Sequence, residues 1–472
     1  MLAKRLIVSM FAIGLTFSSA HAARVLLLEK DQDALQARAD LILQAKNEVL
    51  AEYFSVWNDD ESLGGLSLLV YAAQNGRKVK IIMDALSNKV PDSLMAALLD
   101  HGVDKDGNQN LEIKLYNKLN IFKPLKALHR DHAKLLIADG DRLIIGGRNV
   151  GDKYFGANGK RNFRDLDVLT EGQAGIEARD SFMEVWNSKL ATRPDVSNFS
   201  EERREKICPH NRKDNGRCKA AVRYLNEQFT LSENRIHHML DVLMNQRPTA
   251  DVTVDSGRDW LENVEDFDDI KFMSHRENKL VTDKTNHLSD SLAEIALGTK
   301  EDLNIISPYL IPTDKLMKVL KELKSRTPAV RVRIITNSLN STDNLFAQIG
   351  YKESKDKIIN LGIELYEYNG PDTAHAKAAV IDGKTVLIGT YNLDPRSSEI
   401  NREVGVMISS PEQSQLAKDL THGIETFRAN SLLVGKDGKK QNEERWDENV
   451  SKTKKMMLEA TRILYPYVKD QL

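Results

Sequence analysis

The chain has 472 residues, room for two or three ordinary domains, and its 67 basic residues nearly balance 69 acidic ones. A formal charge of −2 argues against a protein that coats nucleic acid through a broad basic face. Beyond the N-terminus no stretch approaches the roughly 18 apolar residues of a membrane span, so we expect a mature protein that is soluble or peripheral to a membrane.

The first residues read as an export signal. Lys4 and Arg5 give a positive start, Leu6 to Phe17 an apolar run too short to span, and Ala20-His21-Ala22 a small-x-small cleavage site. Removing residues 1–22 takes the formal charge from −2 to −4. Ala22 is not followed by cysteine, which rules out lipid attachment at a mature N-terminal cysteine. The expected location is therefore periplasmic or secreted.

Short apolar and β-branched runs bounded by polar turns predict strands at Val49–Phe54, Val79–Asp84 and Leu111–Tyr116, with a helical pattern at Leu66–Gln74 between the first two. Asp104 to Asn110 looks like a fragment of a calcium loop. Its glycine sits at the wrong offset and no glutamate closes it, so we read a polar turn. Cys208 and Cys218 flank a short run of turn formers, and in an exported chain this predicts a local disulfide. His237-His238 falls in a helical run and reads as a surface or core feature rather than a ligand pair. Beyond it, strands are predicted at Leu303–Pro308, Val332–Asn337 and Leu361–Tyr366. A helix is predicted over Asp314–Lys324, with Leu316, Val319, Leu320 and Leu323 on one face. A last helix, Met456–Tyr465, is expected to dock through Met457, Leu458, Ile463 and Leu464.

The order strand, helix, strand thus occurs twice, and the sequence itself repeats. His132–Asn149 reads HAKLLIADGDRLIIGGRN, and His375–Asn392 reads HAKAAVIDGKTVLIGTYN. They align without a gap, with eight of eighteen positions identical. In a strand, residues two apart share a face, so His132 and Lys134 project together, as do His375 and Lys377. A histidine and a lysine side by side suit an anionic, oxygen-rich group. The glycines at 146, 147 and 389 allow tight turns before Asn149 and Asn392, whose amides can donate into the same space. There is no G-x4-G-K-[ST], no G-x-G-x2-G opening a helix and no G-x-S-x-G. Nucleotide cofactors and lipase chemistry are therefore not indicated, and with two lysines at hand we expect neither cofactor nor metal.

The duplicated H-x-K-x4-D followed by G-x2-N resembles the phospholipase D superfamily. The first copy is His132, Lys134, Asp139 and Gly146 to Asn149; the second is His375, Lys377, Asp382 and Gly389 to Asn392. The resemblance implies an α/β protein of two similar α/β/α layered halves packed face to face, with pseudo-two-fold symmetry and one shared active site, complete in a monomer. It implies structural roles for Asp139 and Asp382. It also implies acids that orient the histidines, namely Glu403 for His375 and Asp165, with Asp167 as the alternative, for His132. The corresponding organisation is a signal (1–22), a first half (23–195), a connecting region (196–298), a second half (299–430) and a C-terminal tail with a helix (431–472).

Local phrases, namely Ile145–Asp152, Phe163–Val168, Ser307–Pro312 and Asn392–Ser397, resemble bacterial cardiolipin synthases of the C type. The usual closing phrase of those proteins is absent from the C-terminus, which leaves the acceptor, water or a phospholipid alcohol, open. The implied activity is phosphodiester cleavage on a phospholipid at a membrane surface through a phosphohistidine, with His132 attacking and His375 as acid and base. The alternative is an exported nuclease of the same superfamily, against which the acidic balance weighs.

Overall fold

Two mixed sheets form the frame of the molecule, and the motif-bearing strands run in the same order in both. The computed structural model describes residues 23–119, 128–200, 206, 216–244, 257–275, 287–435 and 450–468. The expected signal and Cys208, hence the expected bridge to Cys218, lie outside the described residues.

The first half contains β1 (Ala23–Leu28), α1 (Asp31–Leu43), β2 (Glu48–Tyr53), α2 (Asp60–Gln74), β3 (Lys78–Asp84), α3 (Asp92–His101) and β4 (Leu111–Tyr116). It continues with β5 (Lys134–Ala138), β6 (Arg142–Gly146), β7 (Phe163–Arg164), β8 (Asp167–Thr170), α4 (Gln173–Asn187) and β9 (Ala191–Thr192). Next come α5 (Gly216–Met244), β10 (Asp266–Phe267), β11 (Asp269–Ser274) and α6 (His287–Leu297). The second half has β12 (Asp302–Ile306), α7 (Asp314–Ser325), β13 (Arg331–Asn337), α8 (Leu345–Ile359), β14 (Glu364–Tyr368), β15 (Thr373–Ala374), β16 (Ala378–Ile381), β17 (Thr385–Gly389) and β18 (Val404–Ser409). It ends with α9 (Gln415–Arg428), β19 (Ser431–Leu433) and α10 (Lys452–Val468).

The first sheet runs β10-β1-β8-β6-β5-β2-β3-β4-β9, and the second β11-β18-β17-β16-β12-β13-β14-β19. In each, three parallel strands (β2-β3-β4, β12-β13-β14) adjoin an antiparallel set beginning with the strand that follows the motif histidine. Period-two patterning then sorts the side chains. From β5, Leu135 and Ile137 join a core shared with Val380, Val386, Ile388 and Val406 of the other half, while Leu136 and Ala138 face α1 and α2. Helices α4 and α9 complete that central layer through Phe182, Trp186, Leu420 and Phe427. The result is an α/β fold of two layered halves packed face to face.

Several expectations shift. The strand predicted at Leu361–Tyr366 begins at Glu364, because a turn follows α8, with Leu361 N–H donating to Ile358 O and Gly362 N–H to Ile359 O, and closes at Gly362, whose φ is +79°. The connecting region is not separate from the sheets: β10 pairs with β1 and β11 with β18, so it supplies an edge strand to each half. The tail adds β19 beside β14. Helix α10 docks through Leu458 and Tyr465, whereas Met457, Ile463 and Leu464 are exposed. The turn at Asp104 closes on itself, its carboxylate accepting backbone N–H from Asp106 and Asn108 at 3.0 and 2.9 Å.

Candidate active site

Each motif histidine sits just before an antiparallel strand, in a segment that hydrogen-bonds to the opposite half. The backbone N–H of His132 donates to Arg402 O at 2.9 Å, and that of His375 to Arg164 O at 2.8 Å. Around these bonds run the parallel pair β7–β15 and the isolated bridge Asp131–Arg402. The residue after each of those arginines is an acid, Glu403 and Asp165. The short crossed pairings therefore carry each acid to the histidine of the other half.

The carboxylates lie accordingly. Glu403 Oε2 is 2.9 Å from His132 Nδ1, and Asp165 Oδ2 is 2.5 Å from His375 Nδ1. This reverses the expected pairing, in which each acid served the histidine of its own motif. Sequence proximity favoured the pairing within a half; the interface between halves decides against it. Asp167, the alternative, is excluded from the site because Arg38 and Arg148 hold it at 2.8 and 3.0 Å.

Both lysines are fully buried. Lys134 Nζ donates to His132 O at 2.7 Å, and Lys377 Nζ lies 2.9 Å from His375 Nδ1. Burial and the nearby charge of Lys377 lower Lys134 to about 7. Burial, then the charges of Lys134 and Lys377, push the His132 imidazolium well below its ordinary value. The influence of Lys377 on His132 means that the two motifs share one electrostatic environment. Asp165 is held below the usual carboxylate range: burial alone would raise it, but the charges of His375 and Lys377 outweigh this. Burial raises Glu403 to about 7, opposed by Lys134 and by hydrogen bonds from Thr390, Ser397 and Asn401.

The two asparagines differ. Asn149 accepts from Ser55 N–H at 3.1 Å and donates to Tyr154 Oη at 2.9 Å. Asn392 donates its backbone N–H to Ser397 Oγ at 3.1 Å, and its side-chain oxygen has no partner among the described residues. Asp139 and Asp382 are structural pins. Each takes a left-handed φ (52° and 53°) and accepts successive backbone N–H groups, from Lys46, Asn47 and Glu48 or from Lys300, Glu301 and Asp302. They tie the end of the strand after each histidine to the start of its antiparallel neighbour, β2 or β12.

Sequence reasoning missed the aromatic walls. Phe54 meets the His132 ring edge-on at 4.7 Å, and Tyr154 and Phe163 flank His375 at 5.7 and 5.0 Å. No periodicity singles these out. It also missed Asp394, whose buried carboxyl is pushed up to about 6 by desolvation, although it stands inside the quoted phrase Asn392–Ser397.

Two expected results follow from this geometry. A Cβ at Gly147 would lie 1.8 Å from Asp165 Oδ1. Gly147→Ala should displace that carboxylate, misplace His375 and lower kcat by about 10²-fold, with the fold retained by circular dichroism; an unchanged kcat would refute the linkage. The second concerns pH. A lysine is charged below its pKa, so the free protein loses the Lys134 charge as pH rises through about 7. kcat/KM on a soluble diester should fall there, and kcat less, because a bound phosphate anion favours the charged form. A kcat/KM that stays flat well above neutrality would rule this out.

The family model described as cardiolipin synthase, PLD-like domain matches residues 39–186 and 293–424, the two halves that hold these motifs. The chain belongs to this family. Cardiolipin synthase C of Escherichia coli K12 is 29% identical over 434 residues, covering 82% of each chain. A cardiolipin synthase of Listeria monocytogenes is 23% identical over 380 residues, covering 80% of this chain and 64% of that one. The crystal structure of phosphatidylserine synthase from Haemophilus influenzae Rd KW20 superposes with a TM-score of 0.61 at 16% identity over 95% of both chains. That is a likeness of fold, and it covers both halves of this phospholipase D-like family member.

Proposed function

We propose that this phospholipase D-like protein is a phosphatidyltransferase that moves a phosphatidyl group between phospholipid alcohols through a phosphohistidine. The observation that carries the reading is the pair of crossed histidine–carboxylate contacts beside two buried lysines. A family model for cardiolipin synthase domains and relatives bearing that name support the substrate class.

In the first step His132 Nε2 attacks phosphorus. Its Nδ1–H stays on Glu403, and its depressed pKa keeps the ring neutral and nucleophilic. The phosphorus–oxygen bond to the leaving alcohol breaks, and His375 supplies the proton. Burial and the charge of Lys377 push the His375 imidazolium below its ordinary value, and the ionised Asp165 opposes them by stabilising the charged ring. In the second step His375 takes the proton of the incoming alcohol, whose oxygen attacks phosphorus, and the phosphorus–nitrogen bond breaks. Lys134 and Lys377 offset charge on the non-bridging oxygens throughout. The relatives named cardiolipin synthase favour an alcohol over water as acceptor.

Purified mature protein is incubated with phosphatidylglycerol, phosphatidylethanolamine and, separately, DNA, and products are read by mass spectrometry. A phospholipid carrying a different head group supports the proposal; phosphatidic acid alone, or cleaved DNA with no lipid product, overturns it.

We further propose export with a Cys208–Cys218 bridge. Intact-mass measurement on envelope-extracted protein should give a chain starting at Ala23 and two hydrogen atoms lighter than the dithiol. A retained Met1, or two alkylatable thiols, would refute the respective part.

A further inference from the structure

Helix α10 is held to the body by one narrow stripe. Leu458 and Tyr465 are buried against Leu339 and Ile349. Lys454 Nζ donates to Asn340 O at 2.9 Å and Thr342 O at 2.6 Å. Another part of its surface is apolar and uncovered among the described residues: Met456 and Ile463 are each 73% exposed, Met457 56% and Leu464 55%. At about 100° per residue these four, with exposed Ala460, fall in one arc about 120° wide. The next arc carries Lys452, Lys455 and Arg462 against a single carboxylate, Glu459, all exposed. Monomeric soluble proteins rarely leave such a contiguous apolar face to water. A cationic stripe beside an aliphatic one is the pattern of a helix lying in a membrane interface.

The helix sits at the rim of the site. The loop that Lys454 grips follows β13, and its Ser341 O accepts from Thr373 Oγ1 at 2.7 Å, two residues before His375. In the first half, Leu86 and Leu119, 46% and 59% exposed, follow β3 and β4 at the corresponding strand ends.

We propose that α10 docks this protein on a bilayer containing anionic phospholipid, with Met456, Met457, Ile463 and Leu464 entering the interface and the Lys452, Lys455 and Arg462 stripe meeting the head groups. This deepens the function proposed above and rests on its lipid substrate. A second copy is disfavoured as occupant, because a self-complementary contact on this face would bring the cationic stripes together. An anionic lipid surface attracts them instead.

The experiment is vesicle flotation of His132→Asn protein, whose binding is read without turnover. Vesicles are phosphatidylglycerol in phosphatidylcholine, or phosphatidylcholine alone. The combined Met456→Ser, Met457→Ser, Ile463→Ser and Leu464→Ser substitutions should weaken binding to the anionic vesicles at least about tenfold. They should leave thermal unfolding nearly unchanged, since the four side chains are exposed. Lys455→Glu with Arg462→Glu should abolish the preference for anionic vesicles. Equal vesicle binding with and without the serine substitutions overturns the proposal, as does a dimer in solution that those substitutions convert to monomer. If the wild type binds vesicles through this face but reacts with no phospholipid, the catalytic proposal fails and the docking stands.

Discussion

Replacing either His132 or His375 with alanine should remove nearly all turnover, by about 10²–10⁴-fold or more in each case. The reason is structural. Neither half holds a complete site, since each histidine takes its carboxylate from the other half, and Lys377 of the second motif shifts the titration of His132 in the first. Two independent sites would leave about half the activity in each single variant. Retention of more than about a tenth of wild-type turnover in either would therefore sink the shared site. The same pair separates nucleophile from acid. In His375→Asn, a diester with a good leaving group needs little protonation, so His132 should still be phosphorylated, and the adduct should persist because no base activates the acceptor. Acid-labile, alkali-stable label on His132 is the expected result. Label on His375 in His132→Asn would reverse the roles.

The crossed acids give the second large effect, with opposite signatures. Asp165→Asn should depress turnover of substrates with poor leaving groups by about 10²–10⁴-fold, since the imidazolium of His375 loses its stabilising charge. Adduct formation from an activated diester should be nearly spared. Glu403→Gln should instead slow adduct formation on His132 whatever the leaving group, because Nδ1 loses its orienting carboxylate. Pre-steady-state quench measurements on both substrates distinguish them. If Asp165→Asn slowed phosphorylation of His132 and Glu403→Gln did not, the assignment of acids to histidines would be wrong.

Much of this was legible in the sequence because it is local. The continuous apolar runs of β5 and β16 mark central strands covered on both faces. The eight identities between the two motif segments show a duplication. The fixed offset of Asp139 and Asp382 from their histidines places a residue able to cap neighbouring backbone N–H groups. Helix α7 is similarly local: its buried Val319, Leu320 and Leu323 follow directly from helical spacing.

What was not legible depends on contacts between residues far apart in the chain. Glu403 meets His132 across 271 positions and Asp165 meets His375 across 210, and no spacing rule encodes either. The same holds for α10. Its pattern offers two apolar stripes, and only the shape of α8 and the loop after β13 determines that Leu458 and Tyr465 dock while Ile463 stays outside. By itself the sequence determined the two halves and the residue types gathered at the site, because these follow from periodicity, repetition and short-range offsets. Only the tertiary structure decided which acid serves which histidine and which side of the last helix is free, because both depend on how separately formed surfaces meet.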